Sequence, residues 1–300
     1  MLQKYDPRNA HIRVHVNGQL MARNEAKVSV FDSVVQGGDA VWEGLRVYGG
    51  GVMMLGRHLD RLQASAHALA FANVPPNEQI RQALFATLKA NGMNDEAHVR
   101  LTLTRGEKIT SGMDPRLNQK GCSLIVLAEW KPVVFDNARG IRAITSSIRR
   151  MGPEVLDPKI HHNNLLNNIL AKIEANMAGV DGALMLDRNG HVAELNDINV
   201  FAIISGEVVT PYTTSCLGGI TRALVLDLCA QHRIPCRERD LSVVELMNAD
   251  AVFGTGTMGE LTPIIELDGR AVGKPAGTAL LERLQEVFRA VVPGSCEAIV

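Results

Sequence analysis

The sequence predicts an α+β protein of two domains. Three hundred residues exceed the usual reach of one hydrophobic core. Helical and alternating apolar patterns both occur, and they follow one another without the regular βαβ alternation that a doubly wound sheet requires.

Residues 11–21, HIRVHVNGQLM, alternate apolar and polar around Asn17-Gly18, a dipeptide that tolerates positive φ at both central positions of a type I′ turn. A strand over 40–48, AVWEGLRVY, runs into three glycines. Leu59, Leu62, Ala66, Leu69 and Ala70 then recur at helical spacing within 57–71. A second helix is expected from Asn77, as N-cap after Pro75-Pro76, to Gly92. Strands at 98–104 and 123–129 bracket 105–121, which is too polar and too rich in Gly and Pro for core and reads as a mobile loop. A proline and a break in periodicity make 131–138 the expected linker. The domains are therefore read as 1–130, a smaller α/β N-terminal domain, and 139–300, a larger C-terminal one. In the latter, a strand near 141–147 leads to a loop bearing Lys159. A helix over 163–178 follows, with Leu166, Ile169, Leu170, Ile173 and Met177 on one stripe. Asn189-Gly190, Ser205-Gly206 and Asp268-Gly269 signal hairpins, and helices near 220–232 and 275–292 complete the chain.

With 31 basic and 32 acidic residues, neither nucleic acid nor a membrane surface is an expected partner. Five cysteines, odd in number and without CxxC spacing, signal neither a disulfide framework nor a zinc site and suit a reducing cytoplasm. No stretch approaches 18 consecutive apolar residues, and the N-terminus has no apolar run behind its charges. A soluble cytoplasmic protein is expected.

Residues 254–259, GTGTMG, fit a dinucleotide fingerprint, but ELTPIIELDG follows where that fingerprint needs a long helix. Lys172 falls about 120° from the centre of the 163–178 stripe and reads as an ordinary solvated lysine. Lys159 precedes that helix beside Pro158, in DPKIHHNNLLNN. Taken alone it reads as a surface lysine. His161 and His162 are adjacent and therefore diverge, with no third ligand at diagnostic spacing, so no metal is expected.

The run 159–211, then LGGITRALVLDL (217–228) and ADAVFGTGTMGELTP (249–263), resembles the class IV aminotransferases, the fold-type-IV pyridoxal-phosphate enzymes. VSVFDSVVQGGDAVWEGLRVYGG (28–50) and RHLDRLQASA (57–66) extend the resemblance into the first half. It implies a two-domain D-amino-acid/branched-chain aminotransferase-like fold, with the cofactor held mainly by the second domain. Lys159 matches the lysine that forms the Schiff base with pyridoxal 5'-phosphate, which needs a desolvated amine able to lose its proton. Glu194, in VAELNDINVF, matches the carboxylate that pairs with the pyridine nitrogen; without the flanking motif it reads as a hairpin charge. In GGITRAL, Gly218 and Gly219 lead into a helix whose first amides, Ile220 and Thr221, would face the phosphate. Arg61, in HLDRL, and Gly256 and Thr257, in GTGT, match further cofactor positions. Without the resemblance, Arg61 reads as a solvated helix arginine.

On the substrate side the resemblance implies Trp42, Arg100, Arg105 and Met258. Arg100 matches the branched-chain group, whereas Arg105, in LTRG, resembles D-amino-acid and R-selective amine transaminases and the lyases; either guanidinium suits a carboxylate or a structural ion pair. Two pocket tyrosines usual in the branched-chain group are replaced, by Gly37 and Leu165. The implied activity is ping-pong transfer of an amino group from a branched-chain-like L-amino acid to a 2-oxo acid by a homodimer. Alternatives are D-amino-acid or amine transamination, an aminodeoxychorismate lyase, and a noncatalytic small-molecule-binding protein.

Overall fold

A computed structural model describes residues 4–300. The chain separates into two units, each with its own sheet and core. The division falls between Pro132 and Val133, inside the expected linker. Two short segments read as C-terminal, Ile160–Asn164 and Val292–Val300, belong with the first unit instead. Their partners explain the difference. Trp42 N–H donates to the His161 carbonyl at 2.9 Å, Asn163 N–H to that of Ala40 at 2.8 Å, and Cys296–Ala298 pairs with Gly51–Met53.

In this first unit all sheet neighbours are antiparallel. The order across the sheet is Cys296–Ala298, Gly51–Met53, Ala40–Tyr48, Ala97–Thr104, Ser123–Trp130, Arg13–Val16, Gln19–Ala22. Asn17 (φ 49°) and Gly18 (φ 86°) adopt the expected left-handed turn. Val41, Leu45 and Val47 alternate onto the buried face of their strand, where they join Leu55, Leu59 and Leu62 of the helix Leu55–Ala68 and Ile80, Leu84 and Leu88 of the helix Asn77–Ala90. Burying one such side chain contributes roughly 1.5–3 kcal/mol. Asn77 is not the N-cap: Pro76 holds that place, and the Asn77 amide donates to Asp60 Oδ1 at 3.1 Å.

The second unit has a mixed sheet in the order Cys236–Glu238, Glu207–Thr210, Asn199–Ile204, Ala251–Gly256, Glu260–Leu267, Ile141–Thr145, Gly182–Leu186, Val192–Leu195. Parallel pairs link Ile141–Thr145 to both of its neighbours and Cys236–Glu238 to Glu207–Thr210. Turns at Ser205-Gly206 and Asp268-Gly269 take positive φ at both residues, closing hairpins as read. The helix expected over 163–178 spans Leu166–Met177, but its apolar stripe faces outward. Ala171 and Ala175 are the residues that pack, against Ala183 and Met185. Lys172 is not simply solvated: its ammonium donates to the Asp181 carbonyl.

Candidate active site

Chemistry-bearing side chains gather separately in each unit. In the second unit, Glu194 lies on the strand Val192–Leu195, 5% exposed. Arg150 Nε donates to its Oε1 at 2.7 Å, and Asn199 Nδ2 to its Oε2 at 3.0 Å. Burial pushes the Glu194 carboxyl above its ordinary range, because a dry environment disfavours the charged form; the Arg150 charge and hydrogen bond work against that rise without cancelling it.

Asn199 ties this carboxylate to the start of the helix Ile220–Gln231. Its Nδ2 also donates to the Leu217 carbonyl at 2.9 Å, and a Cβ on Gly219 would lie 2.0 Å from its Oδ1. Gly219 is thus required by close approach, and as N-cap it offers no side chain to the amides of the first turn. Asn199 pairs with Thr255 across the sheet, which puts both side chains on one face; the Thr255 hydroxyl is buried and has no hydrogen-bond partner among the described residues. Gly256, Thr257 and Met258 continue from there into a turn closed by Gly259 N–H to the Gly256 carbonyl, and Met258 accepts a backbone bond from Val134. A buried carboxyl, a helix start without a capping side chain and an orphan hydroxyl are groups that could hold a protonated ring nitrogen and a phosphate, so the donor set fits pyridoxal phosphate.

Lys159 departs from expectation. Its side chain is 51% exposed and its Nζ lies 3.0 Å from Asp157 Oδ1, so the amine is neither desolvated nor without a counter-charge. Asp157 Oδ1 also accepts from the Lys159 backbone at 3.0 Å, which fixes the loop around that residue.

In the first unit, Arg61 is held on Glu43. Its Nε donates to Oε1 at 2.8 Å and its Nη2 to Oε2 at 2.6 Å. His58 Nδ1 reaches Glu43 Oε2 at 2.7 Å and His161 Nδ1 reaches Oε1 at 3.3 Å. Burial works to raise the Glu43 carboxyl, but the positive partners His161 and Arg61 hold it well below its usual range. His161 is itself pushed down to about 4, chiefly by burial, so of His161 and Arg61 it is Arg61 that stays charged near neutral pH.

Trp42 and Arg100 meet in the same unit. The Arg100 guanidinium sits 3.4 Å from the Trp42 ring centre, the ring packs on His161 at 4.1 Å, and Arg100 Nη2 donates to Asn163 Oδ1 at 2.9 Å. Burial brings Arg100 down to about 10. Arg105 is engaged elsewhere: it forks onto Asp39 and donates to the Leu69 and Ala70 carbonyls above the Phe71 ring. Of the two arginines, this one has the surroundings of a structural ion pair. Glu43, His58, Arg150 and Asn199 were not among the residues singled out from sequence. No group of three or more His, Cys, Asp or Glu that could hold a metal occurs among the described residues, nor any helix long and apolar enough to cross a membrane.

The amino-transferase class IV family matches residues 40–267. The branched-chain-amino-acid aminotransferase-like protein 2 of Arabidopsis thaliana is 54% identical over 96% of the chain. The chain spans about half the length of the two Arabidopsis relatives it matches, 52% of each. The branched-chain-amino-acid aminotransferase of Pseudomonas aeruginosa is 33% identical over 94% of the chain and 93% of its own length. The crystal structure of the T.th. branched-chain amino acid aminotransferase complexed with N-(5'-phosphopyridoxyl)-L-glutamate superposes with a TM-score of 0.89 at 29% identity, covering 97% of this chain and 99% of that one. The chain therefore belongs to the class IV aminotransferases, a family of pyridoxal-phosphate enzymes, and has their α+β fold.

Proposed function

We propose that this protein is a pyridoxal-phosphate aminotransferase that moves an amino group from a branched-chain-like L-amino acid to a 2-oxo acid in two half-reactions of a ping-pong cycle. The observation that carries the proposal is the buried Glu194, braced by Arg150 and Asn199 beside the start of the helix Ile220–Gln231. When bound, pyridoxal phosphate supplies an electrophilic carbon and a conjugated ring that accepts the electron pair left as the donor's α-proton departs.

Glu194, braced by Arg150, would hold a proton on the ring nitrogen. The Ile220 and Thr221 amides, opened by Gly219, take the phosphate with Gly256 and Thr257. Lys159 Nζ accepts the donor's α-proton and returns it, acting as base and then acid. Asp157, 3.0 Å away, holds the amine in an ion pair, so reaching the donor requires Lys159 to leave that partner. Arg61, Trp42, Arg100, Arg105 and Met258 take the roles implied by the resemblance, with Arg100 preferred over Arg105 for a substrate carboxylate because Asp39 does not occupy it. The same reading makes the protein a cytoplasmic homodimer.

A panel of L-, D- and achiral amino donors against pyruvate and 2-oxoglutarate tests the proposal. Stereospecific turnover of L-branched-chain donors is expected. A preference for D-amino acids or primary amines would replace the substrate class, and pyruvate released without any oxo acid would identify a lyase.

A further inference from the structure

A cavity of 580 Å³ lies in the second unit, between the strand Glu260–Leu267, the helix Pro275–Val291 and the chain at 137–138. That volume falls within the roughly 300–1,000 Å³ usual for small-ligand sites. Leu261, Pro263 and Ile265 alternate along the strand and line one side, and Leu281 and Phe288 of the helix line the other. The wall is apolar, and Ile265, 46% exposed, is a large aliphatic group that the fold leaves uncovered.

The polar part of the lining consists mainly of acceptors. Asn137 Nδ2 donates to the Gly259 carbonyl at 2.9 Å, which leaves Oδ1 closed off from water with no donor among the described residues. An acceptor in that condition is costly until a donor reaches it. Glu260 and Glu282 also line the cavity, against one cation, Arg289. Gln285 Nε2 is engaged by the Leu261 carbonyl at 2.9 Å. Asn137 and Gln285 thus hold the backbone on either side of Glu260, directly after the turn Gly256–Gly259.

We propose that this cavity is a second small-molecule site, one that takes an aliphatic primary ammonium compound: the ammonium donates to Asn137 Oδ1, and the hydrocarbon lies along Leu261, Ile265, Leu281 and Phe288. An ammonium brings three donors and no acceptor, and it suits a lining in which carboxylates outnumber guanidinium groups. A carboxylate alone would set acceptor against acceptor at Asn137. Free amines and amino acids both carry the ammonium, and Arg289 offers a partner to the carboxylate of the latter. The lining includes none of the residues assigned above to cofactor or substrate, but its backbone joins theirs, because Leu261 pairs with Thr255 across the sheet.

The test is isothermal titration calorimetry on the full chain loaded with pyridoxal phosphate, with isoamylamine, L-leucine and isocaproate as probes of one carbon skeleton. Isoamylamine is expected to bind the wild type with a Kd of about 1 mM or tighter. Thr278→Trp fills the cavity from an exposed position and Glu282→Lys inverts one charge of its lining. Each is expected to weaken amine binding roughly 10-fold with an unchanged circular dichroism melt. Leucine binding weakened in the same variants would identify amino acids as the ligand, and leucine binding equal in all three proteins would identify amines. Isocaproate binding is expected to be the same in the wild type and Thr278→Trp. No saturable amine binding, or amine binding that neither variant weakens, would overturn the site. Isocaproate binding weakened by Thr278→Trp as strongly as the amine's would overturn the ammonium assignment.

Discussion

Arg150 and Glu194 form a buried ion pair: Nε donates to Oε1 at 2.7 Å, with both side chains under a tenth exposed. The two residues lie 44 positions apart, so the pair exists only because the fold brings an irregular segment against a strand.

Removing the arginine should convert that pair into an isolated buried acid. Arg150→Gln is predicted to lower stability by roughly 3 kcal/mol at neutral pH, since one partner of a buried pair is left uncompensated. The pH dependence has a definite sign. The folded Glu194 already holds its proton to a higher pH than the ordinary 4.5, so it costs stability as pH rises from there through its folded value. Without Arg150 that costly window extends upward. Urea midpoints measured from pH 5 to 8 should fall more steeply with pH in the variant, and parallel curves would refute the pairing energy inferred here.

Lys159 should show the opposite balance between function and stability. Its ion pair with Asp157 is largely solvated, and exposed pairs contribute little. Lys159→Ala is therefore predicted to change unfolding free energy by no more than about 0.5 kcal/mol while abolishing transamination. Thermal melts beside donor turnover check both halves; full retained turnover would remove Lys159 from the proposed chemistry.

Glu43 should govern acid sensitivity. Its folded pKa lies below the ordinary value, so the stability it contributes is present above about pH 4.5 and is lost as pH falls through the folded value. Glu43→Gln leaves Arg61 without its counter-charge and is expected to cost about 3 kcal/mol at pH 7, with a flatter acid limb. Stability profiles from pH 3 to 7 decide: an unchanged acid limb would show that this carboxylate does not control it.

Part of this organisation is written locally. Asn17-Gly18, Ser205-Gly206 and Asp268-Gly269 declare their turns because few other residues accept positive φ in succession. Glu43 was legible in principle: it occupies the register of Val41, Leu45 and Val47, so an acid stands where the alternation demands an apolar residue, and His58 and Arg61 share one face of the following helix. Arg150 gave no such cue, because it lies between regular elements and owes its position to long-range packing. The 166–177 stripe misled differently. Periodicity reports that one face is apolar but not what that face meets, and here Ala171 and Ala175 hold the sheet contact. The placement of Ile160–Asn164 with the first unit was also beyond the pattern, since it depends on backbone bonds to Ala40 and Trp42 some 120 residues earlier.

The outward stripe of Leu166, Ile169, Leu170, Ile173 and Met177 gives this surface a definite response to solvent. Attraction between aliphatic groups is nearly indifferent to dilute salt, strengthens in sulfate and weakens on cooling. A hydrophobic column should therefore hold the chain in sulfate and release it on chilling, a handle that a charged helix face would not offer.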